Sequence, residues 1–236
     1  LGEYIAFIDS DDYIDESYLN TLFKLLNNTN SDISCCSFFS NIKSKHKITI
    51  KQLNALKATS YMLQDRVVAP SACGKLFKKE IFNNLQFPKD KIFEDFFTAP
   101  HFFSKAGKIV ITSEQLYYYR VNPGGIMRSL FDSKYLDIIE VHNEVRIFIK
   151  NRYEDQNILK LVDARKTRFC ISILNKYVLS NYHDESSKDK LLKEIKNNFF
   201  NYFFKGFGLK EKAIGLLYII NYNLAAEIIK RLSKLR

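Results

Sequence analysis

The sequence predicts an α/β fold followed by a helical region, and two observations lead to this prediction. In residues 1–131, short apolar runs of strand length alternate with segments whose apolar residues recur at helical spacing. In residues 132–236, glycine and proline nearly disappear and helical spacing continues through long segments. We therefore expect a sheet-containing domain over residues 1–131 and a helical C-terminal region over residues 132–236.

The predicted strands are short apolar runs that end at polar or turn residues. The first run ends abruptly in three aspartates, and the second contains the adjacent Cys35 and Cys36. If the first strand lies inside a parallel sheet, it needs a partner on each side. We therefore expect an N-terminal half-sheet that is absent from this sequence or supplied elsewhere. In chain order, the predicted strands cover residues 4–8, 33–39, 48–50, 75–77, 109–111 and 116–120.

The predicted helices follow from apolar spacing and from residues that begin or end helices. Asp15 is a suitable N-cap for the first helix, and Gly107 is a suitable C-terminal stop for the helix at residues 94–106. The first region also contains predicted helices at residues 52–65 and 80–85. In the C-terminal region, the predicted helices cover residues 132–152, 156–182, 186–204 and 210–235.

The composition favours some classes of partner over others. The chain has 36 lysines and arginines against 26 aspartates and glutamates, which gives a formal net charge of +10. Such a surplus suits phosphorylated ligands or an anionic membrane surface, although scattered lysines also fit an ordinary solvated surface. No aromatic–basic motif or known nucleic-acid-binding module is found, so we expect no nucleic-acid partner.

The cysteines indicate the compartment. Cys35, Cys36, Cys73 and Cys170 form no C-x-x-C pair. This spacing is unsuited to a zinc site and to a disulfide framework in a chain of this size, so it favours a reducing compartment. The sequence does not open with a signal-peptide pattern. We therefore expect a cytoplasmic location.

An acidic turn follows the first predicted strand. Asp9, Asp11 and Asp12 lie at its carboxyl end, the edge where open α/β sheets bind ligands. Asp9 and Asp11 are two residues apart, so on an extended segment they point to the same side. Paired carboxylates suit Mg²⁺ or Mn²⁺ whose remaining ligands are water and phosphate oxygens. The structural alternative is an acidic turn that caps the next helix through Asp12 or Asp15.

A second acidic pair opens the helix predicted at residues 94–106. Glu94 and Asp95 are favourable at a helix N-terminus because of the helix dipole, which is the structural explanation. The functional alternative is that one of them accepts a proton from a substrate hydroxyl.

A basic loop follows the last predicted strand. Arg120 and Arg128 flank the glycine pair Gly124 and Gly125, and guanidinium groups bind phosphates in a bidentate geometry. The loop therefore suits closure over a diphosphate. The alternative is a hairpin exit with two solvated arginines.

These segments together resemble the family 2 inverting glycosyltransferases of the GT-A fold. The resemblance covers about residues 1–130 and rests on the order and spacing of the segments. The first block is highly specific, whereas the Glu-Asp pair gains its meaning from its position. The matching segments read GEYIAFIDSDD at residues 2–12, GKLFK at 74–78, FP at 87–88, FED at 93–95 and YYYR at 117–120.

The resemblance implies a fold and a role for each acidic pair. Residues 1–131 are expected to form the metal- and acceptor-binding half of a GT-A, Rossmann-like mixed sheet. Asp9 and Asp11 would be the D-x-D carboxylates, which hold Mn²⁺ or Mg²⁺ against the diphosphate of a nucleotide-sugar donor such as a UDP-sugar. Asp95, with Glu94 beside it, would be the base that activates the acceptor hydroxyl.

The implied reaction is transfer of a sugar, with inversion, to a hydroxyl of a glycan or lipid-linked acceptor. The family-level expectation is synthesis of cell-surface polysaccharide or lipooligosaccharide. Arg120 and Arg128 would lie in the segment that folds over the donor. No residues match the family's N-terminal nucleotide-binding segment. The alternative function is therefore a truncated, inactive remnant that acts at most as an interaction module.

The last residues, 207–236, combine apolar runs with a basic end. The apolar stretch is too short and too polar to span a bilayer. One interpretation is an amphipathic basic helix that lies on the anionic inner face of the plasma membrane as a peripheral contact. The other is a helix packed against the first domain or against a second copy in a homo-oligomer.

Overall fold

A computed structural model describes residues 2–39, 47–65, 68–89, 91–121, 130–180, 182, 184–205 and 208–234. The chain divides into two compact units. The first comprises Leu1–Lys89 and Glu94–Pro123, and the second comprises Asp90–Phe93 and Gly124–Arg236. A limit between functional domains at residue 131 stays a prediction.

The first unit contains a six-stranded mixed sheet with the strand order β1-β5-β3-β6-β2, in which β4 also pairs with β6. The pair β3 and β6 is parallel, and the other pairs are antiparallel. Among the described residues, β1 pairs along its length with β5 alone. The strands are β1 Tyr4–Ala6, β2 Tyr13–Ile14, β3 Ile33–Phe39, β4 Ile50–Leu53, β5 Lys75–Lys78 and β6 Ile109–Tyr118.

Three α-helices accompany this sheet: α1 Tyr18–Thr29, α2 Ala55–Leu63 and α3 Glu94–Lys105. Helix α1 packs one apolar face on the sheet, with Tyr18, Leu22 and Leu26 almost fully buried. Helix α2 is capped by Asn54, whose side chain accepts the Lys57 N–H. The result is a sheet with a buried core, which holds the loops at its strand ends.

Gly74 occupies a position that other residues fit poorly. Its φ is +69°, and an added Cβ would lie 2.7 Å from the Phe38 ring. Its carbonyl accepts the Cys36 N–H at 2.9 Å. This glycine therefore fixes the approach of the chain to β5.

The four cysteines of the chain are free and buried. Cys35 and Cys36 lie on the central strand β3, and burial raises their thiol pKa values to about 11 and about 12. These thiols are therefore protonated at neutral pH.

The second unit is helical. Its core gathers Tyr135, Leu174, Ile195 and Tyr202 with other apolar residues, and Lys91 joins it through an ion pair with Glu144 at 3.0 Å. Its helices are α4 Asp137–Tyr153, α5 Gln156–Leu179, α6 Glu185–Phe204, α7 Leu209–Ile220 and α8 Tyr222–Ser233. Among the described residues, no helix is both long enough and apolar enough to cross a lipid bilayer.

The observed elements differ from the predicted ones at several places. The two strands predicted at 109–120 form one strand, β6, and the helix predicted at 80–85 is a single 3₁₀ turn, Lys79–Phe82. The helix predicted at 210–235 is broken at Asn221, whose backbone is extended. The side chain of Asn221 caps α8 by accepting the Leu224 N–H. Strand β2 was not predicted.

Candidate functional site

The acidic turn, residues 9–12, follows β1 at its carboxyl end. Phe7 continues β1 as an isolated bridge to Cys73, and the chain then turns so that the Asp12 N–H donates to the Asp9 carbonyl at 3.1 Å. The Asp9 N–H donates to the hydroxyl of Tyr117 at 3.1 Å. The turn is thus fixed from the end of β6.

The three carboxylates of the acidic turn have different surroundings. Asp12 is half-buried, and its Oδ1 accepts the backbone N–H of Arg120 at 2.8 Å. Asp9 and Asp11 are exposed, and within the described part of the chain neither carboxylate has a hydrogen-bond or ion-pair partner. Asp12 therefore serves the structure of the turn, whereas the oxygens of Asp9 and Asp11 remain available to a ligand.

Tyr117 connects the parts of this site, and sequence reasoning gave it no role of its own. Its side chain is fully buried, and the Asp12 carboxylate and the Cys73 thiol both influence the pKa of its hydroxyl. Burial raises its pKa strongly, so the hydroxyl stays protonated. The alternation of β6 could have indicated that Tyr117 points inward, but the sequence carries no signal for its partners.

Asp95 lies in the first turn of α3, half-buried, with its Oδ1 accepting the Ala72 N–H at 3.4 Å. Burial raises the pKa of Asp95, and the neighbouring charge of Glu94 raises it further. The Ala72 N–H, the Ser71 hydroxyl and the Lys75 ammonium act in the opposite direction. A carboxylate with a raised pKa is a stronger base than an exposed one.

Phe93 precedes this helix in a conformation that bulky residues rarely adopt, with a φ of +69°. Its ring contacts Phe169 within the helical unit at a centroid distance of 6.1 Å. Strained backbone of this kind clusters at functional sites. This unusual backbone conformation lies directly before Glu94 and Asp95 in the chain.

Asp9 and Asp95 share a neighbour in Cys73. Burial raises the pKa of the Cys73 thiol, and the charges of Asp9 and Asp95 both add to this rise. Hydrogen bonds to Tyr117 and Ser71 lower it. The fold therefore brings one carboxylate of the acidic turn and the Asp95 carboxylate into electrostatic range of the same side chain.

The structure gives less information on the contacts of the other predicted site residues, Glu94, Arg120 and Arg128. Glu94 is half-buried, and its carbonyl accepts the Thr98 hydroxyl at 2.8 Å. Arg120 is exposed and reaches the acidic turn through its backbone N–H. Arg128 lies outside the described residues.

The donor set of the acidic turn suits one kind of metal. In the portion of the chain that the structure describes, no three His, Cys, Asp or Glu side chains converge on a metal position. Two exposed carboxylates fit an ion such as Mg²⁺ that takes its remaining ligands from water and substrate phosphates. They do not fit a metal held by the protein alone.

The comparisons with known proteins agree with this arrangement. Residues 1–86 match the family described as "Glycosyl transferase family 2". This range includes the acidic turn and Cys73. The match covers 86 of the 236 residues of the chain. Asp95, on α3, lies beyond the matched range.

Two curated proteins similar to this chain are glycosyltransferases of Streptococcus pneumoniae serotype 4. GlyG is 29% identical over 159 residues, which cover 61% of this chain and 52% of GlyG. GlyA is 28% identical over 142 residues, which cover 54% of this chain and 20% of GlyA. The chain thus spans about half the length of GlyG and a fifth of GlyA.

Solved structures of S. aureus TarS share the fold. Residues 1–349 of TarS in complex with UDP-GlcNAc match with a TM-score of 0.60 at 18% identity, over 98% of this chain and 68% of that chain. A second structure of TarS residues 1–349 matches with a TM-score of 0.55 at 17% identity, over 98% of this chain and 67% of that chain. The predicted α/β class and its GT-A architecture with appended helices are confirmed.

Proposed function

We propose that this chain is the metal- and acceptor-side part of a glycosyltransferase that moves a sugar, with inversion, from a nucleotide-diphosphate donor to an acceptor hydroxyl. The observation that carries the proposal is the pairing of two kinds of carboxylate around Cys73. Asp9 belongs to an exposed pair that has no partner among the described residues, whereas Asp95 is half-buried and hydrogen-bonded. Ion binding needs the first kind and proton transfer needs the second.

In this proposal, Asp9 and Asp11 would hold a Mn²⁺ or Mg²⁺ ion. When bound, such an ion would supply positive charge for the diphosphate leaving group. The exposed Arg120 contributes a further positive charge near the acidic turn, and Arg128 is proposed to join it around the donor. Both arginines suit bidentate binding of phosphate oxygens.

Asp95 is the proposed general base. Its burial and the neighbouring Glu94 strengthen it as a base, and the Ala72 N–H keeps the carboxylate oriented. It takes the proton of the acceptor hydroxyl, whose oxygen then attacks the anomeric carbon on the face opposite the leaving diphosphate. A single displacement of this kind inverts the configuration.

The donor is proposed to be a UDP-sugar, because TarS, which has the same fold, was solved in complex with UDP-GlcNAc and with UDP. The acceptor is proposed to be a glycan or a lipid-linked intermediate of cell-surface polysaccharide or lipooligosaccharide synthesis. The free, buried cysteines support a cytoplasmic location.

The decisive experiment uses the full-length natural protein with a panel of nucleotide sugars and Mn²⁺. We expect donor turnover with one UDP-sugar and its loss on metal chelation. Asp95→Asn should reduce transfer by roughly 10²–10⁴-fold, because general-base catalysis is worth that much, and should leave donor binding by calorimetry intact. Asp65→Asn, in the same unit, is the matched control. Near-normal turnover of Asp95→Asn would disprove the base assignment, and an inactive wild-type protein would favour the remnant alternative.

A membrane contact through residues 207–236 is a second part of the proposal. The described helices of this region expose large apolar side chains, among them Leu209 at 84% and Ile220 at 71%, and they also expose Lys210 and Lys230. Exposed apolar and basic residues together suit an anionic lipid surface. Co-sedimentation with anionic vesicles should drop when residues 207–236 are removed, and equal pelleting would exclude the contact in favour of packing within the protein or a homo-oligomer.

A further inference from the structure

Lys75 on β5 is a charged residue buried inside the first unit, with only 1% of its surface exposed. Its ammonium donates to the carbonyls of Ala69 at 2.9 Å and Cys73 at 3.4 Å, and also to the carbonyl of Ser71. All three acceptors belong to residues 69–73, which we call the carbonyl segment. Burying an ammonium group is costly unless its hydrogen bonds are satisfied, so these three hydrogen bonds offset the cost of burying Lys75.

The other side of the carbonyl segment faces the proposed base. The Ala72 N–H donates to the Asp95 carboxylate at 3.4 Å, and the Ser71 hydroxyl also lowers the pKa of Asp95. Carbonyls at alternate positions thus bind Lys75, while the Ala72 N–H, which lies between two of them, binds Asp95. The shape of one short segment therefore links the two side chains.

Asp95 also lies within electrostatic range of the Lys75 ammonium. Burial lowers the pKa of Lys75, and the groups that oppose this are Asp95 and the thiols of Cys35, Cys36 and Cys73. Burial raises the pKa of each of these thiols, so they are neutral at physiological pH. Asp95 supplies the negative charge in this set.

We propose that Lys75 is a positioning residue for the base: its ammonium holds the carbonyl segment in the shape that presents hydrogen-bond donors to Asp95, and its charge keeps Asp95 ionised. The inference rests on the proposed function in calling Asp95 the base. The charge coupling itself requires no catalytic activity.

The direction of the pH effect follows from the groups around Asp95. Burial and Glu94 favour its neutral form, Cys73 is uncharged, and Lys75 with the Ala72 N–H favours the ionised form. Removing the ammonium leaves burial and Glu94 less opposed. Lys75→Met, which preserves the length of the side chain, should therefore raise the pKa of Asp95.

The test measures the Asp95 titration by NMR of ¹³C-labelled aspartate in the full-length protein, together with the acid limb of kcat/KM. For Lys75→Met we expect both midpoints to rise by about one pH unit, the lower end of the effect of a nearby opposite charge, with little change in donor KM. Lys75→Arg should restore the midpoint. The control is Lys78→Met on the same strand, since Lys78 pairs with Asp32 at 2.8 Å.

A reciprocal measurement covers the case in which Lys75→Met does not fold. Asp95→Asn should lower the pKa of the Lys75 ammonium, followed by ¹⁵N NMR, by the same amount, because coupling between two sites is mutual. An unchanged Lys75 titration, or an equal Asp95 shift in Lys78→Met, would overturn the inference. If the coupling is observed but the protein transfers no sugar, the proposed function fails and the coupling stands.

Discussion

The two acidic pairs of the first unit contain the same chemical groups in opposite surroundings. In the acidic turn, Asp9 and Asp11 are exposed and free of partners within the described residues. At the start of α3, Asp95 is half-buried, hydrogen-bonded and raised in pKa. The difference teaches that burial, and not residue type, separates a carboxylate suited to an ion from one suited to a proton.

The largest expected effect is a loss of turnover when the acidic turn is changed. Asp11→Asn should lower turnover by about 10²–10³-fold, the usual cost of losing one group that stabilises transition-state charge, without a change in Tm. Asp12→Asn should instead lower Tm and change turnover little, because the Asp12 carboxylate accepts the Arg120 N–H. Turnover against Mn²⁺ concentration and thermal unfolding measure both. A wild-type Mn²⁺ dependence of Asp11→Asn would remove it from the metal site.

The next effect concerns the glycine between Cys73 and Lys75. Gly74→Ala should lower the free energy of unfolding by about 1–3 kcal/mol, since a Cβ there would collide with the Phe38 ring in a left-handed conformation. Denaturant unfolding measures the loss. Gly2→Ala is the control, because its Cβ would meet only the Tyr4 carbonyl at an ordinary 3.6 Å. Equal stability of the two variants would contradict the geometry assigned to Gly74.

The smallest expected effect is a pH-dependent change in Tm when Asp95 is replaced. The pKa of Asp95 is raised in the folded state, so its contribution to stability is present below the unfolded pKa and is lost as the pH rises through the folded pKa. Asp95→Asn should therefore raise Tm at pH 7 by a few degrees at most, and the gain should vanish in acid.

Asp32 supplies the control of opposite sign. Burial tends to raise its pKa, but the hydrogen bonds from Lys78 and from the N–H groups of Gly107 and Lys108 prevail and lower it. Asp32→Asn should therefore lower Tm at neutral pH, with the loss shrinking as the pH falls through the folded pKa. Shifts of the same sign in both variants would show that burial does not set the state of Asp95.

Much of the fold followed from the sequence because its signals are local. The apolar run at residues 33–39 is strand β3, and the helix predicted at 94–106 is α3 within one residue. Strand β2 has two residues, Tyr13 and Ile14, and exists only because it pairs with β6. A pattern read along the chain contains no such long-range pairing.

The residues of the candidate site also divide into those that local sequence patterns indicate and those that they do not. Asp9, Asp11, Glu94 and Asp95 could be selected from their positions after a strand and at a helix start. The part played by Tyr117 could not, since its partners lie about a hundred positions away: its hydroxyl meets the Asp9 N–H across 108 residues of sequence. Contacts of that separation are products of the folded sheet.

The one-sided pairing of β1 affects how these 236 residues behave when made alone. A strand whose far edge carries free amide and carbonyl groups is a template on which another extended chain can assemble. Purified material should therefore grow into larger species as its concentration rises. Adding a short peptide that pairs with the free edge of β1 is then a practical route to a monodisperse sample.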